Sequence, residues 1–462
     1  MREYELIIDK ALTRGLSPEL MPVNAEFLSQ CLGFRCGKAR LESHVLLTDP
    51  IPATVDKYYN WPFPQFLVGD AFNILVIRDT VNQQDSVYSV SADHLTITHI
   101  FDVDELTFGK GTLMEFADFG KYAFMTNGVV IIAWNPTLNV WIPSLATATI
   151  PLMRTICNYK GQAVGGGVVS AWHDCDETFY VWTKIGSMDF TPDQNNEAGY
   201  RQCPYGGKVR NVKRLGNSVM GYSSKGVTIL HTIPEPATLG FKEICDIGII
   251  NQGAVNGSLT RHIFVGEDYI VRKVTAEGME DLGYQSFIEQ LADEDIIVSY
   301  DPSSQNFYIG NSSKTFLLSP YGMTEVLQHP SAVWRSNKES YMMPETADST
   351  MPTITSEPVD MGYAGQKTIS SIETDVSVVD GPEAGVDYTN NNTLWGLASY
   401  KPMNDQGIAA VTASGNAFRV SLRFADIYNN TRISYIKARF KMTDLRGMRG
   451  VYAPPTSFRG QQ

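Results

Sequence analysis

One pattern recurs along the chain and narrows the folds open to it: two or three apolar residues, a small residue, three to seven polar or turn residues, then a second apolar run. It appears as Ala123-Phe124-Met125-Thr126 before Val129 to Trp134, as Val168-Val169-Ser170 before Thr178 to Trp182, and as Val219-Met220-Gly221 before Val227 to Leu230. Ile263-Phe264-Val265-Gly266 precedes Tyr269 to Val271, and Phe307-Tyr308-Ile309-Gly310 precedes Thr315 to Leu318. Between the small residues Thr126, Ser170, Gly221, Gly266 and Gly310 the steps are 44, 51, 45 and 44 residues. A four-stranded blade fills about 40 to 45 residues, so the period predicts an all-β, WD40-like β-propeller of about six blades. A looser early copy, Ile74 to Ile77 before Val87 to Val90, supplies another blade. The small residues are expected at equivalent inner-strand positions near the crowded axis. Asn127-Gly128, Lys225-Gly226 and Asn311-Ser312-Ser313 supply hairpin turns.

The 462 residues exceed what one core holds, roughly 250 to 300, so either two domains or one large repeat architecture is expected. Residues 1–50 do not fit the repeat and read as an extended N-terminal arm that joins a sheet contributed by the C-terminal domain or by a neighbour. The propeller is expected over 51–342, a polar, proline-containing linker over 343–356, and a C-terminal β-sandwich or barrel over 357–462. Within the last, Phe418 to Phe424 alternates with period two and places Arg419, Ser421 and Arg423 on one face. Helical spacing is confined to Asp9 to Arg14 and Ser286 to Asp293. The N-terminus has no signal-peptide pattern and no stretch approaches 18 apolar residues, so synthesis in a cytoplasm without a membrane span is expected.

Chemistry-bearing motifs are weak. Gly165-Gly166-Gly167 lacks the Lys-Ser/Thr of a phosphate loop. His173-Asp174-Cys175-Asp176-Glu177 gathers ligand types, but adjacent residues on a hairpin point different ways. Asp268, Asp293, Glu294 and Asp295 could pair as glycosidase carboxylates only if the fold brought them together. Trp134 and Trp182 lie in apolar strands and read as packing residues. Six cysteines without CxxC spacing suggest neither a zinc site nor a disulfide framework. No catalytic residue, cofactor or metal is expected, and the chain reads as non-enzymatic.

Net charge is −13, against general nucleic-acid binding. From Phe418 onward nine basic residues face two acidic ones, a local +7. Arg419, Arg423, Arg446 and Arg449 are therefore the candidates for contact with an acidic neighbouring subunit.

Three stretches carry a resemblance: Asn24 with Leu32-Gly33-Phe34-Arg35 and Gly37, the repeat with Trp134-Asn135-Pro136 and Val140-Trp141, and Val359-Asp360-Met361-Gly362 with Lys367, Ser414-Gly415-Asn416 and Arg446-Gly447-Met448-Arg449. In their order they resemble the tail hub or nozzle family of short-tailed bacteriophages, which includes the packaged-DNA stabilisation and second tail tubular proteins. The resemblance implies a virion protein forming a homo-oligomeric, commonly hexameric ring below the portal. Its partners would be an adaptor or head-to-tail connector and a tail fibre or needle, with genomic DNA passing through unread. A cellular propeller scaffold, a peptide-binding module and a carbohydrate-binding propeller remain the alternatives.

Overall fold

The computed structural model describes residues 3–19, 26–44, 61–79, 81–93, 96–104, 111–144, 146–234, 238–336, 339–347, 351–362, 365–376, 382–391, 393–397, 399–425 and 431–443. The fold is all-β and propeller-like. Two compact units divide the chain: a propeller unit of Leu47–Ser313 with His329–Glu345, and an end unit of Met1–Leu46, Lys314–Gln328 and Thr346–Gln462.

The propeller unit holds five complete four-stranded antiparallel sheets. Blade 1 is Gln65–Val68, Asn73–Asp79, Gln84–Val90 and Ile97–Asp104; blade 2 is Glu115–Asp118, Ala123–Thr126, Ile131–Asn135 and Val140–Ser144. Blade 3 is Met153–Tyr159, Gln162–Val168, Phe179–Trp182 and Gly199–Gln202; blade 4 is Val209–Leu215, Ser218–Ser223, Val227–Thr232 and Leu239–Cys245. Blade 5 is Val255–Gly257, Arg261–Val265, Val271–Thr275 and Met279–Gly283, and the hairpin Ile297–Asp301 with Asn306–Gly310 opens a sixth. The repeat expected at Gly310 is thus cut by the unit boundary after Ser313.

Apolar residues cluster between successive blades, which is how a radial array buries both faces of each sheet. Met153, Ile156, Ala163 and Val181 of blade 3 meet Ala117, Phe124 and Ile131 of blade 2. Tyr180 and Trp182 meet Val212, Val219 and Leu230 of blade 4. Met220, Tyr222 and Val227 then meet Val255, Phe264 and Val274 of blade 5. Each Val, Leu, Ile, Phe or Met among them contributes about 1.5–3 kcal/mol relative to exposure.

The small residues are not equivalent. Thr126 and Gly310 each end a second strand, opposite Glu115 and Ile297, the first residues of their first strands. Gly221 sits mid-strand against Val212 and Thr228, Gly266 lies one residue past its strand, and Ser170 two past. All five occupy or follow the second strand rather than the axial one. Turn length varies between blades, so equal spacing of apolar runs does not fix register. Smallness is required locally: a side chain at Gly221 would overlap the Tyr180 ring of blade 3, and one at Gly266 the Arg272–Asp268 pair.

The end unit is built from both termini. Glu3–Ile8 pairs antiparallel with Ile436–Met442, which pairs in turn with Lys367–Thr374. Leu28–Leu32 pairs with Thr353–Ser356, which pairs with Ala417–Arg423, itself against Glu383–Thr389. The N-terminal segment thus joins sheets of the C-terminal region, but it is not wholly extended: it also holds a short helix, Lys10–Arg14, capped by Asp9, and strands Phe34–Cys36 and Leu41–Ser43. Nor is 343–356 a linker, because Glu339–Ala347 is a strand and Ile354 is fully buried within a second one. Phe418, Val420, Leu422 and Phe424 are buried as the alternation predicts, while Ser421 on the other face is covered through its hydroxyl contact with Thr355 at 3.1 Å. The second expected helix is realised as Gln285–Ile288 continued by a 3₁₀ turn, Glu289–Leu291.

Candidate functional site

The first strands of the blades converge on the propeller axis. Gln65, Glu115, Asn211, Lys213, Asn256 and Ser299, from blades 1, 2, 4 and 5 and the sixth hairpin, line one narrow central cavity of about 100 Å³. Thr155 of blade 3 accepts a hydrogen bond from Val212 N at 3.0 Å and so clips neighbouring first strands together. Asn211 Nδ2 donates to Glu115 Oε1 at 2.8 Å and to the Gln252 carbonyl at 3.0 Å. Lys213 Nζ stands 3.8 Å from Glu115 Oε2. Burial raises the Glu115 carboxyl above its ordinary range despite the opposing pull of Lys213 and these donors.

At one end the axis opens into a wider cavity of about 490 Å³. Its charged lining starts from strand ends: Arg154 near the head of blade 3, and Lys208 and Arg210 around the head of blade 4. Glu177 accepts from Arg154 Nη2 and from Lys208 Nζ, each at 2.5 Å. Those two cations, Lys208 first, hold its carboxyl below the usual range, so it stays an acceptor near neutral pH. Arg210 Nη1 donates to the Ile249 carbonyl, to that of Ile250 at 2.7 Å and to Glu267 at 3.2 Å. Arg78 forks onto Asp85 at 2.6 and 2.7 Å and lies 4.0 Å over the Phe63 ring. Asn251 Nδ2 donates to Asp295 Oδ1 at 3.1 Å, and Trp61 Nε1 to the Asp295 carbonyl at 2.7 Å. Charged groups in pairs, on a partly apolar floor, make a surface for hydrogen-bonded recognition.

The sequence motifs fare unevenly. Of the His173 to Glu177 group, only Glu177 reaches the cavity; Asp176 caps its own turn through Thr178, and His173 stacks beside Trp172 and Tyr200. No group of three or more His, Cys, Asp or Glu that could hold a metal occurs among the described residues. Of the four scattered acids, Asp295 lines the cavity, whereas Asp268 is engaged by Arg272 at 2.5 Å and Glu294 by Ser312 N at 3.1 Å. Trp182 is buried with its Nε1 on the Glu197 carbonyl at 2.8 Å, and Trp134 packs edge-on against Trp141. Arg154, Lys208 and Arg210 were not singled out by any motif; their only signal is a position beside the first residue of a blade.

The basic candidates of the C-terminal segment are tied within their own unit. Arg423 bridges Glu383 at 2.5 Å and covers Tyr400 at 4.0 Å; Arg419 covers Trp395 at 4.2 Å, opposite Asp387. Lys437 meets Glu373 at 2.6 Å, and Arg439 meets Glu373 at 2.8 Å and Glu5 at 3.3 Å. Lys441 lies 3.8 Å from Glu3. Acidic groups facing much of this basic segment therefore come from the chain itself. Arg446 and Arg449 lie outside the described residues.

No protein-family model matches the chain, and no curated protein does. Among solved structures it is similar to PorZ, an essential bacterial surface component of the type-IX secretion system of Porphyromonas gingivalis. That similarity has 10% identity and a TM-score of 0.34, over 63% of this chain and 41% of that one. The chain thus spans less than half the length of that structure.

Proposed function

We propose that the chain is a non-enzymatic structural subunit of a short-tailed phage tail, a hub or nozzle ring that retains the genome and then conducts it. The observation supporting this most directly is architectural: a propeller is inserted between chain segments that return to one β unit. In such a body the inter-blade seams are packed with large side chains, as a wall loaded by internal pressure requires. The acidic balance of −13 suits a conduit that repels the polyanion and keeps it sliding. In this reading the subunit forms a hexamer, docks on an adaptor ring and carries fibre or needle proteins. The test is negative-stain imaging of virions labelled with an antibody to this chain. Label at the tail below the portal is expected; label on the capsid, or none on intact virions, overturns the reading.

A further inference from the structure

We propose that the wide axial mouth of the propeller unit binds a small molecule through a dianionic phosphoryl group, a phosphate monoester. This goes beyond the tail reading and does not depend on it. The volume, about 490 Å³, falls within the range of small-molecule sites. Charge in the wall selects the ligand class. Arg78, Arg154, Lys208 and Arg210 line the cavity against Glu177 and Asp295, four cations to two carboxylates, in a chain whose net charge is −13. Asp85 and Glu267, which pair with Arg78 and Arg210, stand outside the lining. Glu267 is moreover half exposed, at 50%, so water weakens its field in the mouth.

The hydrogen bonds point the same way, because the lining carboxylates are engaged while the cations keep donors in reserve. Glu177 accepts from Arg154 at Oε1 and from Lys208 at Oε2, and Asp295 Oδ1 accepts from Asn251. Among the described residues, Arg154 bonds through Nη2, to Glu177, and Arg210 through Nη1, to Glu267 and the Ile249 and Ile250 carbonyls. Each guanidinium therefore retains its Nε–H and one terminal NH2 for a ligand. The three cations are also grouped: Lys208 and Arg210 are two residues apart at the head of blade 4, and Lys208 and Arg154 converge on one carboxylate. A guanidinium fork matches two oxygens of a phosphoryl group, and an ammonium adds a point charge. A monoester is close to a dianion near neutral pH, which answers the two surplus charges of the wall. Phe63, Leu113, Val209 and Ile250 supply apolar surface for its carbon moiety.

The experiment is calorimetry and phosphorus NMR on the full chain with glycerol 3-phosphate and phenyl phosphate, and with succinate, glycerol and an unphosphorylated oligothymidylate as controls. Saturable binding of at least one monoester, with Kd of roughly 10 μM to 1 mM, is expected. Lys208→Ala should weaken it at least about threefold, and this side chain is 69% exposed, so its removal spares the packing. Glu177→Gln should tighten it by about threefold or more, since it removes the carboxylate that competes for Arg154 and Lys208; a merely structural role for Glu177 would give the opposite sign. Should Glu177→Gln fail to fold, Lys208→Ala decides. Absence of binding by both monoesters at about 10 mM, tighter binding of succinate, glycerol or the oligothymidylate, affinity unchanged in Lys208→Ala, or affinity unchanged or weakened in a folded Glu177→Gln overturns the proposal.

Discussion

In the propeller each strand pairs with its neighbour in sequence, as Val209–Leu215, Ser218–Ser223, Val227–Thr232 and Leu239–Cys245 do. In the end unit Glu3–Ile8 pairs with Ile436–Met442, and Leu28–Leu32 with Thr353–Ser356. The first kind of contact closes short loops at little entropic cost; the second can form only after most of the chain has been placed. Their stabilisation differs as well. Inter-blade seams are apolar, with buried neutral groups such as the Tyr222–His262 pair, whereas the terminal sheet is laced by Glu5, Glu373, Lys437 and Arg439. The propeller should therefore answer to acid and the end unit to truncation and salt.

Truncation gives the largest expected effect. Deleting residues 1–9 removes the strand over Ile436–Met442, the fully buried Ile8 and two carboxylates facing the basic strand. The end unit should lose at least about 3 kcal/mol, while the propeller transition stays within about 2 °C. Calorimetry of the full chain and the truncated chain separates the two; coincident loss of both transitions would show that the units are not energetically distinct.

This contrast also explains what was legible in the sequence. The blade period could be read because a hairpin repeat writes its apolar runs close together, and the alternation of Phe418 to Phe424 reported its buried face directly. Register could not, since the blade step of 51 residues between Ser170 and Gly221 hides an altered turn, and the small residues landed at different places on their strands. The basic segment was legible as such, but its expected acidic counterpart was a neighbouring subunit, whereas the carboxylates that face it here are Glu3, Glu5, Glu373 and Glu383 of the same chain. Nothing local in Glu3, Glu5 or Glu373 says that they meet a strand near residue 440, and a period-two pattern specifies a face but not a partner. The axial mouth was illegible for a similar reason, because Arg154, Glu177 and Arg210 are scattered in sequence and converge only when the first strands do.

Acid should unsettle the propeller next. His262 Nε2 lies 3.1 Å from the Arg214 carbonyl, which can only accept, so Nε2 carries a proton, and in the neutral ring Nδ1 accepts from the Tyr222 hydroxyl at 2.8 Å. Burial first, then Lys213, pushes the imidazole down to about 3 from 6.5. A group that binds its proton more tightly when unfolded gives stability that is full above pH 6.5 and lost as pH falls toward about 3. The slope approaches about 1.4 kcal/mol per pH unit inside that window. Denaturant titrations at several pH values should show this slope on the propeller transition and a shallower one in His262→Gln; an equal slope in both proteins would place the acid sensitivity elsewhere.

Salt should act on the end unit by the smallest of the three effects, and a double-mutant cycle sharpens the contrast further than truncation does. The basic strand Ile436–Met442 lies between two strands, and each supplies a carboxylate to it: Glu5 stands opposite Arg439 in one register, and Glu373 opposite Lys437 in the other. The side chains of Glu373 and Lys437 are 15% and 17% exposed, so their attraction is screened less than that of a rim pair but is not that of a dry core. Glu373→Gln and Lys437→Gln, alone and together, should give a coupling of about 1 kcal/mol at low ionic strength. Raising salt to about 1 M, where the screening length is roughly 3 Å, should shrink that coupling while leaving the propeller transition in place. A coupling that is indifferent to salt would mean that the carboxylate acts through cross-strand packing rather than charge, and would leave the terminal sheet no different in kind from an inter-blade seam.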